Sequence, residues 1–277
     1  MLFRLQPVLY SIIFAAALEL SMYKQEWFFK VAVFFIVFSV FVVWPLARKL
    51  RFLAIPFFLS LGSLIMLSLI DQTAEKHIFI VISSAVYYLA IMGAYRLKHY
   101  DCDLTAQGMI NIAAFATVFF WYVSNYGWFL NFQIDSWVLA LTFLFSTFLI
   151  TLPSLRICAS LQLKRKRQAE ELESGQKGDG LSQANFPVYM LINNWLIVFL
   201  NIILSLIMAQ LIWLLSFWPF GYLTTGVVAL IIYFVFWEII RDFIQGVLTR
   251  RKVVICVVWS VLFVSAVLLT TRWSMTS

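Results

Sequence analysis

Residues 161–186 read LQLKRKRQAEELESGQKGDGLSQANF and divide the chain into two apolar regions. This segment is the only long one without membrane-compatible hydrophobicity, because four consecutive cations are followed by a tail rich in glycine, serine and glutamine. Apolar segments flank it, six before and three after. We therefore expect a six-helix transmembrane region at 1–160, a flexible cytoplasmic loop at 161–186 and a three-helix transmembrane region at 187–277, together forming one integrated membrane domain.

The composition is that of a membrane protein. Of the 277 residues, 63% are hydrophobic and 12% are charged, whereas soluble domains are roughly half apolar and a quarter charged. A water-soluble fold of this length cannot bury so much apolar surface, so lipid must be the solvent. The net charge of +7 does not indicate nucleic-acid binding, because the basic residues lie between apolar segments.

Nine apolar segments have roughly the length that a helix needs to cross a bilayer, about 20 residues. They cover residues 5–20, 29–46, 52–70, 78–95, 109–126, 137–155, 196–217, 222–240 and 253–271. Their length and uniform apolarity exclude a β-barrel, whose strands alternate over about ten residues. The predicted fold class is all-α, a polytopic bundle of about nine transmembrane helices.

The lysines and arginines sort to one side of the predicted membrane. With a cytoplasmic amino terminus, sixteen of the twenty cations are cytoplasmic, and the external ones are Lys24, Lys30, Lys76 and Arg272. The positive-inside rule therefore predicts a cytoplasmic amino terminus and an external carboxyl terminus, in a multi-pass protein of a bacterial-type cytoplasmic membrane. In an alternative interpretation, the alanines at 15–17 form a signal-peptidase site, and cleavage leaves eight helices.

The basic cluster Lys164, Arg165, Lys166 and Arg167 has two interpretations. It can bind anionic lipids, at about 1 kcal/mol per cation near the surface, or act only as a flank that sets orientation, which we favour. Lys166 precedes Glu170 by four residues, a helical spacing, so we expect the loop to begin as an extension of the sixth helix. The other expected partners are the lipid bilayer and further membrane proteins.

Ionisable residues inside apolar segments are costly, so each is a candidate functional residue. Glu19 lies near the outer end of the first segment, where it can gate a cation or meet lipid headgroups. Glu238, Arg241 and Asp242 cluster near the inner end of the eighth segment. Glu238 and Arg241 are three residues apart, which suits an ion pair on one helix face. We favour a structural pair at the interface over a functional site at the inner mouth.

Asn194, Asn201 and Ser205 form a polar stripe on the seventh segment, at spacings of seven and four residues. One interpretation is a seam of hydrogen bonds against another helix, each worth about 0.6 kcal/mol. The other is the lining of a solute path. We favour the seam.

The loop at 96–103, RLKHYDCD, holds the densest mixture of titratable groups. Asp101 and Asp103 suggest a site for a metal or a pyrophosphate, but no second acidic motif completes it. A solvated loop is the favoured interpretation.

The sequence contains no GxSxG motif paired with a membrane histidine, no HExxH motif and no P-loop. Its three cysteines and two histidines lack the spacing of a metal site. We therefore expect no catalytic residue, no cofactor and no metal. Our first functional hypothesis is a non-catalytic scaffold or subunit of a membrane complex. The second is a small-solute or lipid transporter that uses the polar stripe. The third is a lipid- or prenyl-modifying enzyme.

Overall fold

The computed structural model describes residues 5–23, 25–47, 53–99, 103–132, 134–174, 186–218 and 220–271. All regular structure in these residues is helical, which confirms the predicted fold class at that level. A short 3-10 helix covers Gln25–Trp27. The α-helices are α1 Gln6–Tyr23, α2 Phe28–Ala47, α3 Ala54–Leu69, α4 Thr73–His99, α5 Leu104–Phe132, α6 Ser136–Ser174, α7 Phe186–Leu215, α8 Tyr222–Gln245 and α9 Arg250–Thr270.

Seven of the described helices, α1 and α4 to α9, are long and apolar enough to cross a membrane. In the other two helices, the search of the described residues finds shorter apolar stretches, Phe28–Phe41 in α2 and Ala54–Leu69 in α3. Each predicted segment overlaps one α-helix of the described chain, but length and composition support seven crossings. The count of nine crossings and the orientation of the termini stay predictions.

Helices α4, α5 and α6 extend beyond the apolar segments that predict them. A helix satisfies its own backbone hydrogen bonds, so it need not end where hydropathy ends. Helix α6 continues to Ser174, which confirms the predicted helical start of the central segment. The glycines of the tail lie outside the described residues, as do the side chains of the basic cluster at 164–167.

Helix α5 lies at the centre of the bundle. It packs against α3, α4, α6 and α8, and its buried side chains extend from Ala106 near one end to Tyr126 near the other. Around this centre, α6 and α7 form the most extensive helix pair, α1 packs on α4, and α9 packs on α8.

Glycines on three neighbouring helices allow a close approach to α5. A Cβ atom added at Gly62 of α3 would lie 3.2 Å from the backbone nitrogen of Trp121. One added at Gly93 of α4 would lie 2.7 Å from a side chain of α5, and one at Gly226 of α8 would overlap the side chain of Val123. Close packing of this kind is a main source of helix association in lipid, where apolar side chains gain little by leaving the solvent.

Hydrogen bonds between side chains cross the interior of the bundle. The hydroxyls of Tyr122 and Thr147 lie 2.7 Å apart and link α5 to α6. Those of Thr151 and Tyr233 lie 2.9 Å apart and link α6 to α8. All four residues are buried, so these bonds tie the central helices together where no water competes for them.

Candidate functional site

Glu238, Arg241, Asp242 and Lys252 form an ion-pair cluster where α8 meets α9. Arg241 Nη2 donates to Glu238 Oε1 and, over 3.1 Å, to Asp242 Oδ1. Lys252 Nζ donates to Asp242 Oδ2 over 3.3 Å. Asp242 is only 6% exposed, and a carboxylate that is removed from water in this way requires cationic partners. The ion pair that the spacing of Glu238 and Arg241 predicts is present.

The turn after α8 brings the two helices together at this cluster. Gly246 has a φ of 68°, a left-handed conformation that glycine adopts without strain. Its N–H donates to the Phe243 carbonyl over 3.0 Å, and the Val247 N–H donates to the Asp242 carbonyl over 3.1 Å. This pair of bonds is a Schellman motif, which ends a helix and satisfies its last carbonyls.

The start of α9 completes the arrangement. Thr249 precedes the helix as its N-cap, and its side chain accepts a hydrogen bond from the Lys252 backbone N–H over 3.4 Å. Lys252 therefore lies in the first turn of α9, beside the last turns of α8. This local geometry explains why two residues ten positions apart, Asp242 and Lys252, form an ion pair.

The ring of Trp237 packs against Arg241 of the ion-pair cluster and is itself in contact with Phe115. The guanidinium carbon of Arg241 lies 5.3 Å from the centroid of the Trp237 ring. Trp237 is 2% exposed, and its ring meets that of Phe115 edge to face at 4.8 Å. A cation over an aromatic face gains about 0.5–1 kcal/mol at an exposed site and more when desolvated. Arg241 is thus held by two carboxylates and a ring.

Four polar residues of α5 and α6 lie beside the ion-pair cluster. Gln107 Nε2 donates to Cys158 Sγ over 2.9 Å, and Ser154 Oγ donates to Asn111 Oδ1 over 2.8 Å. Sequence reasoning did not identify these four residues as a group. The available signal was spacing, because 107 and 111, like 154 and 158, are four apart and so share a helix face.

The two groups belong to one region at the junction of α5, α6 and α8. Both Arg241 and Glu238 interact electrostatically with Cys158. The Nε atom of Arg241 is buried and has no hydrogen-bond partner within the described part of the chain. Chemically, this region offers ion pairing, aromatic contact and N–H donors, which suit the binding of an anionic group better than bond cleavage.

The polar stripe of α7 divides in the structure. Asn201 is fully buried, and its Nδ2 donates to the Phe148 carbonyl of α6 over 2.9 Å. Ser205 is also buried, and its hydroxyl donates to the Asn201 carbonyl over 2.8 Å. Asn194 is exposed. The structure therefore bonds Asn201 to α6, buries Ser205 with a bond inside α7, and leaves Asn194 exposed.

Glu19 is exposed on α1 and takes part in no ion pair among the described residues. Lys24, the cation closest to it in sequence on the predicted external side, lies outside the described residues. The structure therefore assigns Glu19 no contact beyond its place on the surface of α1.

Asp103 caps the start of α5. Its Oδ1 accepts hydrogen bonds from the backbone N–H groups of Thr105, at 2.9 Å, and Ala106, at 3.4 Å, and its Oδ2 lies 2.7 Å from Arg96 Nε. Desolvation acts to raise the pKa of Asp103, but these hydrogen bonds and the Arg96 charge outweigh it and lower the pKa. Asp103 is thus an N-cap, and Asp101 lies outside the described residues.

No group of three or more histidine, cysteine, aspartate or glutamate side chains is arranged to hold a metal in the part of the chain that the structure describes. Comparison with protein-family models, with curated proteins and with solved structures gives no match for this chain.

Proposed function

We propose that this protein is a non-catalytic, multi-pass membrane protein that acts as a scaffold or subunit of a larger membrane complex. The observation that carries the proposal is α9, which has 21 residues and no buried one. Among the described helices, its main packing partner is α8. A helix that contributes so little to its own bundle is suited to bind another membrane protein.

The outward surface of α9 is apolar on several sides. Large exposed side chains include Val254, Val258, Val261, Leu262 and Leu269. In lipid, helices associate through van der Waals packing and hydrogen bonds, with little hydrophobic gain. Such a surface is therefore stable in lipid alone and remains available to a partner helix of complementary shape.

The internal polar bonds support the same proposal. Asn201 and Ser205 bond to carbonyls within the bundle, and Glu238 is paired with Arg241. Of these contacts, the Asn201 bond joins α7 to α6, as expected of a polar seam, whereas the Ser205 bond lies within α7 and the Glu238–Arg241 pair lies within α8. A scaffold needs such fixed contacts, whereas a solute path needs polar groups that face open space.

The proposal includes nine crossings, with the amino terminus cytoplasmic and the carboxyl terminus external. Helix α3 has 16 residues and so is about 24 Å long, shorter than the roughly 30 Å hydrocarbon core. It is largely buried among its neighbours from Ile55 to Leu67, so protein rather than lipid surrounds most of its length. We propose that α2 and α3 cross as a pair, which preserves the sorting of the cations and places 161–186 in the cytoplasm.

Site-specific photo-crosslinking in native membranes tests the proposal. A photoreactive amino acid replaces Leu262 on α9, which is 53% exposed, and in a matched variant it replaces Ile12 on α1, which is 58% exposed. We expect position 262 to give a stoichiometric adduct with one defined membrane protein and position 12 to give lipid adducts. Lipid adducts alone at position 262, together with a monomer of 32.2 kDa after mild detergent extraction, would contradict the proposal.

A second candidate is a transporter of a lipid or small solute. It is favoured by the polar region at the junction of α5, α6 and α8, because ionisable groups inside a membrane are costly and commonly functional. The test is transbilayer movement of a fluorescent anionic phospholipid in vesicles that contain the purified protein. Transport predicts faster movement, with loss of the effect in Glu238→Gln; movement no faster than in protein-free vesicles would exclude a lipid transporter.

A further inference from the structure

An apolar groove separates the first half of α9 from α8. Its volume is about 480 Å³, within the roughly 300–1,000 Å³ range of small-molecule sites. The side chain of Phe115 from α5 lies at its floor. The walls are mostly apolar and come from two helices, with residues between Leu230 and Val235 of α8 and between Ile255 and Phe263 of α9.

The groove is bounded at both ends. Towards the end of α9, Val264, Val267 and Leu268 pack against the core. At the start of α9, the ion pair between Lys252 and Asp242 joins the two helices. Between these contacts the helices stand apart, so the groove is an opening between two fixed points.

The polar end of the groove is continuous with its apolar walls. On α8, the positions 231, 235, 238 and 242 recur at spacings of three or four residues, and so do 252, 256, 259 and 263 on α9. Residues at this spacing share one helix face. The wall residues on each helix therefore lead directly to the ion-pair cluster, and the Phe115 floor contacts Trp237, which in turn contacts Arg241.

Positive charge is in excess at this end. The residues from 238 to 252 include four cations and two carboxylates. The side chain of Lys252 is 51% exposed and that of Arg241 is 29% exposed, while Arg250 and Arg251 are exposed in the first turn of α9. Glu238 and Asp242 form ion pairs with Arg241 and Lys252. Arg250 and Arg251 therefore remain to attract an external anion.

We propose that this groove binds one anionic membrane phospholipid. Its acyl chain lies between α8 and α9, along about 12 Å of α9 from Ile255 to Phe263. Its phosphate lies at the start of α9, among Arg250, Arg251 and Lys252, because guanidinium groups bind phosphate through paired hydrogen bonds. Basic pockets between transmembrane helices are a recurrent setting for anionic headgroups.

The choice of occupant follows from charge and shape. The combination of an apolar groove and a cationic end matches a phospholipid that places one acyl chain in the groove and carries a negative headgroup. A zwitterionic phospholipid would fill the groove but would not neutralise the excess positive charge at its end. The proposal goes beyond the proposed function, since a lipid can occupy the groove whether or not the outward face of α9 binds a protein.

Native mass spectrometry of the full chain in mild detergent provides the test. The probes are phosphatidylglycerol and phosphatidylcholine with identical acyl chains. We expect one phosphatidylglycerol molecule to bind at least ten-fold more tightly than phosphatidylcholine. Equal affinity for the two lipids would overturn the proposal, because it would show that the cations do not select the headgroup.

Two variants address the two parts of the site. Arg250→Gln with Arg251→Gln breaks no ion pair within the described chain, and we expect it to weaken phosphatidylglycerol binding about 30-fold, since each cation near the surface contributes about five-fold. The charge-matched control is Lys30→Gln with Lys76→Gln, which changes two cations at the other end of the bundle. An equal loss of affinity in the control would contradict the proposal.

Ser260→Phe fills the groove from α9, and Ser265→Phe adds the same bulk at an exposed position of the same helix. We expect loss of the bound lipid only in Ser260→Phe. A phosphatidylglycerol with a photoreactive acyl chain should attach between 255 and 263. Attachment elsewhere or retention of the lipid in Ser260→Phe would overturn the assignment.

Discussion

Helices α5 and α9 are both long and apolar enough to span a membrane, yet they occupy opposite extremes of the fold. Helix α9 has the higher mean hydropathy of the two and no buried residue. Helix α5 is less apolar, and thirteen of its residues are buried. In a water-soluble protein, the more apolar helix would be expected at the core.

The inversion arises because lipid replaces water as the solvent. An apolar side chain on α9 is as well solvated by lipid tails as by protein, so hydropathy does not drive it inward. Helix α5 is central because its neighbours approach it through glycines and because hydroxyls such as Tyr122 find hydrogen-bond partners there. Packing and polar satisfaction, not apolarity, select the centre of this bundle.

The largest expected effect comes from closing the approach of α3 to α5. A side chain at Gly62 meets the backbone of Trp121 at 3.2 Å, and backbone cannot move aside as a side chain can. We expect Gly62→Val to lower the free energy of unfolding by about 3 kcal/mol, measured by unfolding in mixed detergent micelles.

Gly108, on α5 itself, is the matched control. A Cβ atom there has no neighbour within 4 Å, so Gly108→Val changes helix propensity in the same way without the contact. An equal loss of stability in both variants would mean that the close approach of α3 and α5 does not contribute.

The second prediction compares the two helices directly. Ile110 on α5 is 1% exposed and Leu262 on α9 is 53% exposed. We expect Ile110→Ala to lower the free energy of unfolding by about 2 kcal/mol, because it leaves a cavity, and Leu262→Ala to change it by less than about 0.5 kcal/mol. The same micelle unfolding measures both, and similar losses would remove the contrast between α5 and α9.

The smallest effect concerns the N-cap of α5 and its dependence on pH. Because the pKa of Asp103 is lowered from its model-peptide value of 3.8, the ionised carboxylate stabilises the fold above that pH, and this contribution is lost as pH falls through the lowered pKa. Asp103→Asn should therefore be less stable than wild type at neutral pH, with the difference in unfolding temperature shrinking below about pH 3.8. A difference for Asp103→Asn that stays constant over this pH range would contradict the prediction.

Local features of the site followed from the sequence more readily than contacts between helices. The spacing of Glu238 and Arg241 predicts their ion pair, because helix geometry alone places them together. The spacing of the α7 stripe likewise allows a seam, and Asn201 bonds to α6. Lys252 could not be assigned to Asp242 beforehand, since that pair depends on the turn at Gly246.

By itself, the sequence determined that this chain is helical and that seven or more of its segments suit a membrane. Length and apolarity are local properties, so they decide whether a segment can cross lipid without any knowledge of tertiary contacts. It also fixes the positions of the lysines and arginines along the chain, from which the nine-crossing topology and its orientation are predicted. Only the tertiary structure decided which helix is central, which polar groups meet and where α8 and α9 stand apart. In lipid these choices depend on shape and hydrogen bonding between distant residues, which hydropathy does not encode.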